Sequence, residues 1–208
     1  MGSRTDGRVP NVLITGTPGT GKTSLASLVA GQSGFQHIEV GKWVKERGLH
    51  DGWDSELQCF VLDEDKVCDA MEESMSRGGN VVDYHGCDFF PERWFDLVVV
   101  LQTDNGILYD RLQRRGYTGR KLQENIECEI MHVIIEEARV SYREDILRVL
   151  KSNAVEDQEA NLELVLAALS GRGLPPAREA NGAANGSANG AAPRVRQGKR
   201  IKTQSAGA

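Results

Sequence analysis

The sequence predicts an α/β fold, a parallel sheet of five strands covered by helices on both faces, and three observations carry that expectation. A glycine-rich loop, Gly16-Thr17-Pro18-Gly19-Thr20-Gly21-Lys22-Thr23, fits the pattern G-x-x-x-x-G-K-[ST]. Its flanks are right for it: Val12-Leu13-Ile14 reads as a short buried strand, and Leu25, Leu28 and Val29 recur at helical spacing. Strand-like and helical stretches then alternate as far as Leu169.

The loop is a nucleotide-binding signature. Gly19 and Gly21 let the backbone curl so that successive N–H groups converge on phosphate oxygens. Lys22 adds a positive charge near the β- and γ-phosphates, and Thr23 offers a hydroxyl to Mg2+. The helix that begins there turns its free N–H groups and positive dipole end toward the same phosphates.

That helix should stop at Gly31 or Gly34, since glycine takes the left-handed position after a helix cheaply. Residues 36–40 read as a second strand, and 42–47 as one or two helical turns closed by Gly48. Asp51-Gly52-Trp53-Asp54 reads as turn chemistry, and the polar stretch to Asp65 as a loop or loose subdomain. Val67, Met71 and Met75 predict a helix over 63–77, ended by Gly78-Gly79.

Asn80-Val81-Val82-Asp83 is a short strand that gives way to the polar Tyr84-His85-Gly86-Cys87-Asp88, and ligands of open α/β sheets sit at such carboxyl ends. Residues 97–101 form the plainest central strand, apolar on both faces. Thr103 or Asp104 should cap a helix with Leu108 and Leu112 inward, ending near Gly116. One long helix is expected over 122–142 with Ile126, Ile130, Val133 and Ile134 on one face. A last strand over 146–150 and a helix carrying Leu162, Val165, Leu166 and Leu169 close the pattern.

With 208 residues and 39% of them apolar, the chain suits one packed domain over 10–170 rather than two. Residues 1–9 are expected to be a flexible N-terminus and 171–208 a disordered tail, where Asn-Gly repeats every four residues with nothing large and apolar between. From Arg172 onward seven basic residues meet one acidic one, so an acidic domain carries a basic tail. That tail could contact RNA phosphates or act as a nuclear address, or simply solubilise the chain. No apolar run nears the roughly 20 residues that span a bilayer, and neither a signal core nor a myristoylation site is present at the start. A soluble intracellular protein with no membrane contact is expected. Its four cysteines, with no C-x-x-C pair, suggest reduced thiols rather than a zinc site or disulfide framework.

Beyond the loop, Asp83 stands at a strand end, where a phosphate-loop enzyme needs a carboxylate for Mg2+, although turn capping would place one there too. His85 could orient water or contact phosphate, or hydrogen-bond within a turn. Arg111, Arg114, Arg115, Arg120 and Lys121 surround Gly116-Tyr117-Thr118-Gly119, which suits a cationic lid over a transferring phosphoryl group, against the alternative of a solvated helix end.

The run Val82-Asp83-Tyr84-His85-Gly86-Cys87-Asp88-Phe89-Phe90-Pro91-Glu92-Arg93-Trp94-Phe95, with Gly16-Thr17-Pro18-Gly19 and Arg115-Gly116-Tyr117, resembles the adenylate kinase isoenzyme 6 family from about Pro10 to Leu169. The resemblance implies a P-loop NTPase of the nucleoside-monophosphate kinase type, with a short monophosphate-binding region at 39–62 and a short lid at 114–124. It implies Mg2+ with ATP as cofactor, AMP or another monophosphate as acceptor, and ATPase activity; the domain by itself looks complete as a monomer. Gly19, Gly21, Lys22, Thr23 and Ser24 would hold the ATP phosphates, Thr23 and Asp83 the metal, and Lys22, Asp83, His85 and Arg115 would serve catalysis. It further implies a role in late maturation of the small ribosomal subunit through a small-subunit ribosomal protein on the pre-ribosome, in nucleus and cytoplasm. The chain departs from the family at Gly41-Lys42-Trp43, where Gly-Asp-Leu is common, and at Lys45, an Arg in several members. Lysine cannot make the bidentate fork that arginine gives a phosphate.

Overall fold

The computed structural model describes residues 8–55 and 59–171; the expectations for residues 1–7 and for the tail beyond 171 lie outside them. β1 (Val12–Thr15) leads through the glycine loop into α1 (Lys22–Ser33), which Gly34 ends in the left-handed conformation with its N–H on the Ala30 carbonyl. β2 (Gln36–Glu39) runs straight into α2 (Val40–Arg47), closed the same way by Gly48. Next come β3 (His50–Asp54), β4 (Cys59–Leu62) and α3 (Glu64–Arg77), which Asp63 caps by accepting from the Lys66 N–H. β5 (Asn80–Asp83), β6 (Leu97–Gln102), α4 (Asn105–Arg114), α5 (Gly119–Ile130), α6 (Val133–Ser141), β7 (Leu147–Lys151) and α7 (Val155–Leu169) complete the order. Of the two proposed caps for α4, Asp104 acts, accepting from the Gly106 N–H at 3.0 Å.

The strand order is β2-β5-β1-β6-β7, every pairing is parallel, and the expected five-stranded sheet is present. Alternation along each strand sends Leu13, Ile38, Val82, Val98 and Val100 into a core with α2, α3 and α6. It sends Val12, Ile14, Val81, Val99 and Leu101 into a second core with α1 and α7. Both faces are buried, which is why these strands read as unbroken apolar runs. Each large side chain so buried contributes about 1.5–3 kcal/mol over its exposed state. Asn80 joins β5 despite its polarity because its side-chain amide donates to Asn11 Oδ1 and to the Ser74 carbonyl. Nearby, Arg8 is pinned to the Met75 and Trp94 carbonyls and to Asp96.

Two expectations need correction. The segment around Asp51-Gly52-Trp53-Asp54 is a strand, not a turn: β3 pairs antiparallel with β4. His50 stacks on Phe60 with ring centroids 4.2 Å apart, and Trp53 meets the same ring edge-on at 5.0 Å. Those cross-strand contacts outweigh the local turn preference of the Asp-Gly pair. The single helix expected over 122–142 is two, α5 and α6, parted at His132 in the left-handed conformation (φ 53°, ψ 34°). The break serves two destinations. Leu122 and Ile126 join Leu108, Leu112 and Tyr117 in a small separate core, whereas Ile134, Ile135 and Ala138 pack on the sheet. Ile130, expected inward, is 49% exposed, and Asn125 and Glu129 face inward instead.

Candidate active site

Register aligns the carboxyl ends of the strands, with Ile14, Asp83 and Glu39 side by side across β1, β5 and β2. The glycine loop closes over this edge. Gly16 (φ 138°) and Gly19 (φ 97°) hold conformations that L-residues avoid, and a Cβ on Gly19 would sit 2.8 Å from Leu108 Cδ1. Within the loop, the Thr17 carbonyl accepts from the Thr20 N–H at 3.2 Å, from Thr20 Oγ1 at 2.9 Å and from Lys22 Nζ at 3.1 Å. Ser152, just past β7, donates its hydroxyl to the Thr20 carbonyl at 2.6 Å.

Lys22, Thr23, Asp83, His85 and Arg115, anticipated from the sequence, line one cleft together with Gly19, Glu39 and Gly41. The Lys22 ammonium is pushed down to about 8, mainly by loss of hydration; Asp83 and Glu129 pull it up and Arg115 pushes it further down. Asp83 is buried and accepts from Thr23 Oγ1 at 2.5 Å, while His37 Nε2 on β2 lies 3.8 Å away. A hydroxyl and a carboxylate oxygen meeting at the mouth of a phosphate loop are a hard donor pair that fits Mg2+. Among the described residues no three His, Cys, Asp or Glu side chains gather to hold a metal by themselves. A cation held by Thr23 and Asp83 would therefore draw its remaining ligands from phosphate and water. His85 is buried, its ring 4.1 Å from that of Tyr84, and its carbonyl accepts from Thr15 Oγ1 at 3.1 Å.

A second groove of about 420 Å³ opens on the other side of the loop, lined by Gly21, Ser24, Arg111, Arg114, Arg115 and Asn153 among others. The two arginines expected to share a lid differ. Arg111 is fixed, donating to the Ser152 carbonyl at 2.8 Å and the Asn153 carbonyl at 2.7 Å, whereas the Arg115 guanidinium has no hydrogen-bond partner among the described residues. Arg115 alone of the basic cluster borders both the cleft and the groove.

Sequence reasoning missed Glu129. It is buried on α5, accepts from Thr17 Oγ1 at 2.5 Å with one oxygen and from the Thr103 N–H at 2.7 Å with the other. The available signal was its place seven residues after Leu122 on the inward stripe of α5, a charge where an apolar residue belongs.

Comparison with known proteins bears on this cleft. Residues 12–132 match a family model described as an AAA domain. The chain is 58% identical over 156 residues to the adenylate kinase isoenzyme 6 homolog of Dictyostelium discoideum, covering 75% of this chain and 89% of that protein. It is 53% identical over 160 residues to the homolog of Caenorhabditis elegans, covering 76% and 88%. The chain belongs to the adenylate kinase isoenzyme 6 family. The family extends to more distant relatives, among them the Saccharomyces cerevisiae homolog FAP7, 38% identical over 76% of this chain and 81% of that protein. Among solved structures, shikimate kinase from Acinetobacter baumannii in complex with shikimate aligns with TM-score 0.56 at 17% identity, over 79% of this chain and 95% of that one. A gluconokinase from Sinorhizobium meliloti 1021 aligns at 0.50 and 18% identity, over 80% and 95%. These two share the fold. Membership of the adenylate kinase isoenzyme 6 family makes the chain an enzyme, a phosphotransferase of the nucleotide-kinase kind.

Proposed function

We propose that this enzyme transfers the γ-phosphoryl group of ATP to a nucleoside monophosphate, AMP foremost among several, giving two ADP, and that it also hydrolyses ATP. The observation that carries this is the convergence of Lys22, Thr23, Asp83, His85 and Arg115 on one cleft at the mouth of the phosphate loop. The domain over 10–170 would act as a monomer. Its adenosine would lie in the groove beside Arg111 and Asn153, with Gly19, Gly21 and Ser24 among the residues around its phosphates. The acceptor would enter under residues 39–62.

Lys22 must leave the Thr17 carbonyl to reach the β- and γ-phosphates, and its charge then meets the negative charge that builds on the transferring group. Arg115, whose guanidinium is not committed elsewhere, is suited to approach that group as residues 114–124 close and water leaves. An oxygen of the monophosphate attacks phosphorus in line as the bond to the β-phosphate oxygen breaks. His85, beside the cleft, would orient the attacking oxygen. Mg2+, held by Thr23 and Asp83, would neutralise charge on the β- and γ-oxygens when bound.

A second reading, an assembly ATPase that remodels a partner with AMP phosphorylation incidental, is favoured by one observation. None of Lys42, Lys45 and Arg47, the cations of the acceptor segment, lines the cleft. The family resemblance supports a small-subunit ribosomal protein and the pre-ribosome as that partner, in nucleus and cytoplasm, with the basic tail touching RNA. ATP turnover with and without AMP, measuring ADP and free phosphate separately, tests both. AMP-dependent ADP well in excess of a basal phosphate release is expected of the kinase; phosphate release with no ADP gained on adding AMP would hand the chain to the ATPase reading.

A further inference from the structure

Glu129 is a buried carboxylate to which phosphoryl transfer as described above assigns nothing. Each of its oxygens has one partner, Thr17 Oγ1 and the Thr103 N–H, and through them it joins α5 to the phosphate loop and to the end of β6. Thr17 is itself a junction. It is 1% exposed, and its carbonyl is the acceptor for Lys22 Nζ and for both the N–H and the hydroxyl of Thr20. The peptide unit that parks the Lys22 ammonium thus belongs to the residue whose hydroxyl Glu129 holds. At its other end α5 begins at Gly119, four residues after Arg115.

Burying a carboxylate costs more than burying an apolar side chain of the same volume, and two hydrogen bonds at best offset that cost. Stability alone therefore does not account for a charge at this place. Its directional hydrogen bonds do, because they fix the loop where displacement by a fraction of an ångström moves Lys22 relative to the phosphates. Lys22 in turn feels Glu129 as an attracting charge.

We infer that Glu129 is a positioning residue for phosphoryl transfer, fixing through Thr17 the loop geometry from which Lys22 acts and tying that geometry to the helix that leaves the lid. The inference rests on the reading of the cleft as a phosphoryl-transfer site. Glu129 lines neither the cleft nor the groove, so its signature is a loss in turnover rather than in ATP affinity.

The test is a double-mutant cycle on the full chain. Thr17→Val, which keeps the shape and removes the hydroxyl, and Glu129→Ala should each lower kcat by about tenfold, while the Kd for a fluorescent ATP analogue changes less than about threefold. The double variant should be no worse than the weaker single, because both remove the Thr17–Glu129 link and Glu129→Ala loses the Thr103 bond with or without the Thr17 hydroxyl. Thr17→Ser, which restores the hydroxyl, should recover most of the loss caused by Thr17→Val. Turnover within twofold of the parent in both singles, losses that multiply in the double, or an effect confined to Kd would each overturn the inference. If Glu129→Ala does not fold, the valine and serine variants of Thr17 decide by the same criteria. If the parent chain transfers phosphate to neither AMP nor water, the functional reading fails separately. Amide exchange over residues 19–22 then decides the structural part: faster exchange in Thr17→Val supports the link, and unchanged exchange removes it.

Discussion

The phosphate loop and the segment from α2 through β4 flank the same cleft but are built differently. Around the loop the polar groups have partners: buried Thr17, Thr20, Glu129 and Ser152 and half-buried Lys22 and Arg111 bond to one another or to the backbone between them. The other segment carries its charges outside. Lys42 lies 3.9 Å from Glu46 on the surface, Arg47 stacks over the Trp43 ring at 3.6 Å, and Lys45 is exposed. A network of satisfied buried bonds holds one geometry, whereas exposed lysines move on the nanosecond scale. On the proposed function, the donor side would thus be organised before nucleotide arrives, and the acceptor side would have to be organised by what binds it.

The largest test of that contrast is Lys22→Ala. It should lower AMP phosphorylation and ATP hydrolysis together by about 10²–10³-fold, with the thermal midpoint no lower than the parent's, because a costly buried ammonium is removed. Loss of one activity alone would mean that the two reactions do not share a donor site. Arg115→Ala comes next, with about a hundredfold fall in kcat for both acceptors and a smaller change in ATP affinity. A fall seen only with AMP would move Arg115 to the acceptor side.

The third test is pH. If Lys22 meets phosphate as the ammonium, as proposed, kcat/KM for ATP should decline as pH rises through about 8, the value for the free enzyme. Stability has the opposite sign. Between about 8 and 10.5 the unfolded chain holds a proton on Lys22 that the folded chain has lost, so the nucleotide-free protein should gain stability as pH rises across that window, and Lys22→Met should remove the gain. The smallest effect is expected at Lys45→Arg. A several-fold lower KM for AMP with hydrolysis unchanged would show that the acceptor side is limited by its phosphate grip; an unchanged KM would place Lys45 outside it.

Much of this was legible in the sequence, and the parts that were not share a cause. The loop, the five strands and the carboxylate of Asp83 are local patterns: a glycine motif, apolar runs and a polar residue at a strand end. The β3–β4 hairpin was hidden because its aromatic pairing joins His50 and Trp53 to Phe60 across a connection, while the local Asp-Gly spelled a turn. The break at His132 was hidden because a left-handed histidine leaves no periodic trace, and a 3.6-residue pattern continues plausibly through it. Glu129 meets Thr17 across 112 residues, a separation over which spacing carries no information. Arg111 looked like its neighbour Arg115, and only the carbonyls of Ser152 and Asn153 distinguish a structural arginine from an available one.

The placement of the aromatic residues has an optical consequence. Of three tryptophans, Trp94 is 2% exposed in the sheet core, whereas Trp43 lies beneath Arg47 on α2 and Trp53 is 56% exposed on β3. Two of the three indoles therefore sit on the side of the cleft that must be organised by its ligand, and none on the side that is already fixed. On the proposed function, intrinsic emission should hardly respond to ATP on the loop and should change in colour and in quenching by acrylamide when the acceptor segment is occupied. Such a chain would report which half of its site is filled without a label being attached.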